Sequence, residues 1–312
     1  MTKISVIIPT YNRVDKLSQC LKHLENQDFS KSEFEVIVVD DGSTDKTSTL
    51  IKKWQKDSQL NIKFITQKNQ GQGVARNQGV AAAVGWLTIF IGDDIYPVTD
   101  FLEQHYQFHK QNYEENEAAI GQTAWYPNLN VSDFMLWLTN ELPLSKIFAG
   151  PQFNFKKLEQ NPDNVSYFYF YTSNISIKTA LLKINSFDPW FNGYGWEDIE
   201  LGYRLQTKNN LKLTYLKTAF AYHDHLIEFK DFAKRMEAIG YNAVKLQNRH
   251  PKLKVVPSGI KAFVLKIMGC KIVLVASKLI AKFNSYLLPL VYYSTSKYYF
   301  WRGVTNAKKQ IT

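Results

Sequence analysis

Four short runs rich in β-branched and aromatic residues stand out in the first hundred positions: ISVII at 4–8, EVIVV at 35–39, IKFI at 62–65 and LTIFI at 87–91. Between them lie stretches with helical spacing, Val14 to Gln27, Thr44 to Lys56 and Gly73 to Val84. Strands of about five residues alternating with helices of ten to fifteen build βαβ units and a parallel sheet. In such a sheet, ligands lie beyond the carboxyl ends of the strands. The loops expected there read PTYNR, DDGSTD, QKNQGQGVARN and GDDIYP, all polar and two of them with acid pairs.

From about residue 98 the alternation fails. Phe101 to Tyr113 is expected to be a helix, 120–125 a strand, and 126–164 a loop around short helices. The alternating segment VSYFYFYTSNISI at 165–177 predicts a strand, as do 211–216 and 219–225, and Ile227 to Gln247 predicts a helix. No internal repeat is visible. The domain division expected is a donor-binding half at 1–97, an acceptor-binding and catalytic half at 98–250, and a basic aromatic helical tail at 251–312.

With 45% hydrophobic and 14% aromatic residues the chain has ample material for a core. Its 38 Lys and Arg against 28 Asp and Glu suit an anionic partner such as an acidic lipid or a phosphorylated small molecule. The basic residues are scattered and carry no nucleic-acid-binding motif, so nucleic acid is not expected as a partner. Cys20 and Cys270 form no cluster and fit a reducing cytoplasm. The N-terminus reads as a first strand rather than a signal peptide.

The tail from Ser258 interleaves Lys261, Lys266, Lys271, Lys278 and Lys282 with apolar and aromatic residues, among them Phe263, Phe283, Tyr286, Tyr292, Tyr293 and Trp301. Its longest uncharged run, Phe283 to Ser296, has 14 residues and contains Pro289, whereas a membrane span needs about 18 or more. Two readings are open. The segment lies in the interface of an anionic membrane, at the inner face of the plasma membrane, or it is a pair of helices packed on the catalytic domain.

Within the strand-end loops, Asp40 and Asp41 precede Gly42, with Ser43 or Thr44 as helix N-cap and Asp45 in the first turn. Alone, these acids are read as shaping the turn; their other possible use is to accept from a nucleobase N–H. Gly71 and Gly73 let the backbone approach a ligand, and Arg76 can reach a phosphate. Asp93 and Asp94 close the fourth strand as oxygen ligands for Mg²⁺ or Mn²⁺. In AYHDH, His223 and His225 share one strand face with Asp224 opposite, which makes one of the two histidines a candidate metal ligand.

In GYGWEDIELGYRL, a helix starting near Trp196 would place Trp196, Ile199 and Tyr203 on one inward face, and Glu200 with Arg204 as an ion pair. The helix dipole accounts for one acid in the first turn. It does not account for both Glu197 and Asp198 behind a glycine turn, with Gly202 one turn beyond Asp198 leaving that side open. Asp198 is therefore expected to be a general base, with Glu197 as its alternate.

The ordered motifs VIIPTYN, DDGSTD, GxxxARNxG, GDD and WED resemble family 2 glycosyltransferases of the GT-A fold over about residues 3–250. The later part is also similar to galactosyl- and N-acetylgalactosaminyltransferases and to chondroitin-type polymerases. The resemblance implies an α/β, mostly parallel Rossmann-like sheet flanked by helices, with a C-terminal helical extension. It implies inverting transfer of a sugar from a nucleotide diphosphate donor, usually UDP, to a glycan or lipid-linked acceptor, with Mn²⁺ or Mg²⁺ bound. By motif, Pro9, Thr10, Tyr11, Arg13, Asp40, Asp41, Gly71, Arg76 and Asp93 would hold the donor. Asp94 with His223 would hold the metal, Asp198 would be the base, and Tyr194 and Trp196 would face the acceptor. One departure is Gly92 where the family carries the first acid of D-x-D, so Asp93 is the candidate replacement. A sugar-1-phosphate nucleotidyltransferase would need a glycine-rich basic loop after the first strand, which PTYNRVDK is not. A non-catalytic sugar- or membrane-binding module would not need both Asp94 and Asp198.

Overall fold

The computed structural model describes residues 1–151, 155–191 and 195–311. Its strands are β1 (Ile4–Thr10), β2 (Phe34–Asp40), β3 (Ile62–Thr66), β4 (Leu87–Ile91), β5 (Ile95–Pro97), β6 (Glu117–Trp125), β7 (Asn174–Lys178) and β8 (Lys212–His223). They form one sheet in the order β3-β2-β1-β4-β7-β6-β8-β5. The helices α1 (Val14–Glu25), α2 (Thr47–Asp57) and α3 (Gln72–Ala82) connect the first four strands, and α4 (Phe101–Gln111) leads into β6. There follow α5 (Asp133–Leu138), α6 (Phe155–Leu158), α7 (Thr179–Ile184), α8 (Glu197–Lys208), α9 (Phe229–Arg249), α10 (Gly259–Met268), α11 (Lys271–Ala281) and α12 (Leu288–Ile311).

The β-branched runs of β2 and β4 are buried along their whole length, as strands covered on both faces must be. Ile4, Val6 and Ile8 of β1 pack with Leu17 and Leu21 of α1 and Ile51 of α2. Ile7, pointing the other way, meets α3, where a Cβ on Gly79 would come within 2.4 Å of its Cγ2. That close approach brings Arg76, one turn earlier, to the carboxyl edge of the sheet.

β1 pairs in parallel with β2 and β4, and β2 with β3. β7 is antiparallel to β4, with Ile91 opposite Asn174, so β7 begins where β4 ends. β8 runs parallel to β6, with Trp125 opposite His223. The register thus gathers the ends of β1, β2, β4 and β8 and the start of β7 on one edge.

Three expectations are corrected. Residues 165–173 are not strand: the Ser166 hydroxyl accepts from the Phe168 N–H, and Gln206 accepts from the Tyr167 N–H, fixing a 3-10 turn at Tyr167–Tyr169. The two strands expected at 211–216 and 219–225 are one strand. Leu216 pairs with Gly121 and Phe220 with Gln122, leaving the residues between as a bulge. α2 begins at Thr47 rather than at Ser43 or Thr44, because Asp45 instead accepts from the Thr47 N–H and hydroxyl and from the Val14 N–H.

By its internal contacts the chain divides into two compact units. Residues 1–129, 155–191 and 197–225 carry the sheet; residues 130–151, 195–196 and 226–311 form a helical unit. In the helical unit α12 lies along α9 at near backbone contact. A Cβ on Gly240 would stand 2.0 Å from the Phe300 carbonyl oxygen, and one on Gly303 would stand 2.0 Å from that of Glu237. Tyr292 packs edge-on to Phe134 and Phe229 and beside Trp137. α12 is therefore a packed helix within this unit. Among the described residues no helix is long and apolar enough to cross a membrane.

Gly79→Ala forces a methyl into Ile7 and is expected to lower stability by roughly 1–3 kcal/mol. Chemical denaturation of the two proteins measures it.

Candidate active site

The loops after β1, β2 and β3 are tied to one another by side-chain acceptors. Asn12, with a positive φ of 52°, accepts from the N–H and hydroxyl of Thr44 and from the Asp45 N–H, while its own N–H donates to Ser43. Asp40 accepts from the Ser43 N–H at 2.8 Å. Asp41 accepts from the Gln67 side chain and from the N–H groups of Gln70 and Gly71, at 2.8–2.9 Å. Both acids are buried and shape turns. Pro9 is half-buried at the end of β1, and Tyr11 is exposed.

At the end of β4, Asp93 and Asp94 are both buried, 4% and 7% exposed. Two neighbouring carboxylates out of water demand positive charge. Arg13 supplies it, with Nη1 3.0 Å from Asp93 Oδ1 and 2.6 Å from Asp94 Oδ2. The Thr10 hydroxyl donates to Asp93 Oδ2 at 2.7 Å. Burial, and then the charge of Asp94, push the Asp93 carboxyl up to about 6. Burial acts the same way on Asp94, but His223, His225 and Arg13 outweigh it and hold that carboxyl well below the usual range. Burial also depresses His225, against the pull of Asp94.

His223 and His225 converge on Asp94 from the end of β8. His225 Nδ1 lies 2.9 Å and His223 Nε2 3.5 Å from Asp94 Oδ2, and the ligand atoms of all three residues lie within 4.8 Å of one another. Asp224 points the other way and binds the Tyr96 hydroxyl and Lys16. One carboxylate and two imidazoles make a mixed oxygen–nitrogen set that fits Mn²⁺ better than Mg²⁺, which prefers oxygen alone. Asp93, turned onto Thr10 and Arg13, stands outside this set. Arg13 Nη2 also approaches His225 Nδ1 at 2.7 Å, so the guanidinium sits on two of the three candidate ligand atoms.

The second cluster joins α3 to the start of α8. Arg76, 4% exposed, approaches Asp198 Oδ1 at 3.5 Å and Gln72 Oε1 at 3.2 Å, with its face on the Phe187 ring. Asp198 Oδ2 accepts from both the hydroxyl and the N–H of Thr172, at 2.8 and 3.2 Å, and its side chain stays 23% exposed. Glu197 is buried, with Oε1 on the Gln72 amide. Burial, and then the charge of Asp198, push its carboxyl up to about 7 against the pull of Arg76.

The inward face of α8 is not the one expected. Glu197, Leu201 and Leu205 form it, with Glu200 buried against Arg204 through two hydrogen bonds. Nor does Gly202 leave an opening, since a Cβ there would come within 2.7 Å of Phe170. Trp196 belongs to the helical unit. Its indole N–H donates to the Ile239 carbonyl, and its ring packs beside Ala243, Val244 and Val304. Tyr194, named from the sequence as an acceptor contact, lies outside the described residues. Thr172 and Gln72 were missed; Thr172 sat in a segment read as strand, and Gln72 is one turn before Arg76.

The model of the family described as glycosyl transferase family 2 matches residues 5–182. The chain is 27% identical over 268 residues to a validoxylamine A glucosyltransferase of Streptomyces hygroscopicus, an alignment covering 80% of this chain and 61% of that protein. The chain thus spans about three fifths of that relative's length. Residues 1–349 of TarS from S. aureus, solved with UDP-GlcNAc, superpose with a TM-score of 0.53 at 20% identity, covering all of this chain and 93% of that one. The mannosyltransferase PcManGT from Pyrobaculum calidifontis, solved with GDP-Man and Mn²⁺, gives 0.64 at 16% identity over 99% of this chain and 88% of its own. These likenesses show the GT-A fold.

The state of Glu197 can be read from stability. Its folded pKa is raised, so the folded protein holds a proton that the unfolded chain releases, and stability falls as pH rises from about 4.5 to about 7. Glu197→Gln is expected to flatten that part of the profile and to be more stable than wild type at pH 8 by on the order of 2 kcal/mol. Thermal unfolding from pH 5 to 8 checks the sign.

Proposed function

The chain belongs to glycosyl transferase family 2, and on that premise we propose that it moves a hexosyl or N-acetylhexosaminyl group, with inversion, from a UDP-sugar to a hydroxyl of a glycan or lipid-linked acceptor. The observation that carries the reading is Asp198. It is a partly exposed carboxylate oriented by two donors from Thr172, at the sheet edge that also bears the Asp94 and His223/His225 cluster.

Inversion needs one base on the side of the sugar opposite the leaving group. Asp198 takes the acceptor hydroxyl's proton as that oxygen attacks the anomeric carbon and the bond to the UDP oxygen breaks. Glu197, kept from water and biased toward its neutral form, limits the negative charge beside Asp198. Arg76 balances what remains, and it also contributes positive charge toward the departing diphosphate. Asp94, His223 and His225 would hold Mn²⁺, which supplies charge neutralisation for the leaving diphosphate when bound. Asp40, Asp41 and Asn12 hold the loops after β1, β2 and β3 in the arrangement that receives the nucleotide, Tyr11 being the exposed aromatic there. The UDP-GlcNAc complex of the TarS fragment supports the choice of UDP. The glycan or lipid-linked acceptor, and a role in building cell-surface polysaccharide, follow from the family resemblance in the sequence.

Asp198→Asn keeps the shape and the Thr172 contacts and removes the basicity. Transfer is expected to fall by on the order of 10² or more, with UDP affinity within a few-fold of wild type. Initial rates with a panel of UDP-sugars, alongside calorimetric UDP binding, measure both. Retention of most transferase activity would remove Asp198 from the role of base.

A further inference from the structure

The helices α10 and α11 turn the wrong side outward for a soluble protein. Between Ile260 and Tyr286 ten large apolar side chains are exposed, among them Ile260 at 84%, Phe263 at 65%, Ile272 at 80% and Phe283 at 91%. α10 buries no side chain completely, and α11 buries only Leu274 and Ser277. Helical spacing makes the exposed residues coherent. Ile260, Phe263 and Ile267 recur at i, i+3 and i+7, and Ile272, Val275 and Leu279 repeat the pattern on α11. Each stripe is flanked by exposed lysines about 100° round its helix, Lys261 and Lys266 on α10, Lys271 and Lys278 on α11. The opposite side is anchored. The Ser277 hydroxyl meets that of Ser294 on α12 at 3.0 Å, and Gly269 sits against the backbone of Lys297 and Tyr298.

Charge along the chain is just as uneven. From Ala238 to Thr312 there are thirteen Lys and Arg and no Asp or Glu. All 28 acids lie before that point, where they outnumber the basic residues, so the whole positive surplus belongs to this stretch.

We propose that the outward face of α10 and α11 docks on the surface of an anionic lipid bilayer, lying in the interface without crossing it. This goes beyond the transfer chemistry and does not rest on it. Each helix is about 15–17 Å long, too short for a hydrocarbon core of about 30 Å, but suited to lie flat with its apolar stripe among the acyl chains and its lysines at the headgroups. A second copy of the chain is the poorer occupant. A two-fold contact through this face would set lysines against lysines, with no acid in the segment to pair them. An anionic leaflet answers both features, burying the stripe and strengthening binding by about fivefold per lysine.

The test is co-sedimentation of the full chain with vesicles of phosphatidylcholine, alone or mixed with phosphatidylglycerol. Binding is expected to the mixed vesicles, weaker by roughly tenfold or more to the neutral ones, and weakening as salt rises. Lys271→Glu with Lys278→Glu is expected to weaken binding by on the order of thirtyfold or more. Phe263→Ser with Ile272→Ser is expected to abolish it; both pairs are exposed, so unfolding temperature should stay at the wild-type value. The proposal is overturned if wild type ignores both vesicles, binds them equally, or binds undiminished in either variant. It is also overturned if light scattering shows a dimer that Phe263→Ser with Ile272→Ser disperses while vesicles are ignored.

Discussion

Two adjacent carboxylates, Asp93 and Asp94, are withdrawn from water at the end of a central strand, and the site is arranged around their cost. Buried like charges this close can coexist only with positive charge and donors at hand. Arg13 from the loop after β1, Thr10 at the end of β1, and His223 and His225 from the end of β8 provide them. These groups come from distant parts of the sequence and from several strands of one sheet. The acid pair therefore works as a tie across the carboxyl edge as well as a candidate cation cradle. The same economy holds at α8, where Glu197 is pushed toward its neutral form while Asp198 keeps Thr172 and Arg76 as partners.

The parallel half of the fold was legible because its strands are buried on both faces and so read as unbroken apolar runs between helical spacings. β1 to β4 and α1 to α4 lie within a few residues of where periodicity put them. What failed was what depends on pairing across the sheet. β5 has three residues, too few for any pattern, and exists because it lies against β8. The bulge in β8 is a matter of register with β6, and the aromatic alternation at 165–173 is overridden by hydrogen bonds that the Tyr167 and Phe168 N–H groups donate to Gln206 and Ser166.

The candidate site was legible residue type by residue type, less so in its connections. Asp94 with a histidine pair and Asp198 after a glycine turn could be named from motif and spacing. That Arg13 would lie across the acids and His225 could not, since those residues are 80 to 212 positions apart. Asp40 and Asp41, expected from motif as donor contacts, accept from turn N–H groups, and Asp41 also from the Gln67 side chain. The helical unit shows the same limit. Tyr292 and Trp301 looked interfacial in sequence, yet both sit in the packing of α12, while the outward stripe is confined to the neighbourhood of α10 and α11.

The assignment of Asp94, His223 and His225 as one cation site, occupied in charge by Arg13 until a metal arrives, is the claim on which the reading of the site turns. Anomalous diffraction at the manganese edge, from crystals of the full chain grown with Mn²⁺ and UDP, tests it directly. The expected result is one Mn²⁺ peak bonded to Asp94 and both histidines, with the Arg13 guanidinium moved off those atoms. A peak held by Asp93 instead, or no peak with Arg13 still joining Asp93, Asp94 and His225, would contradict it.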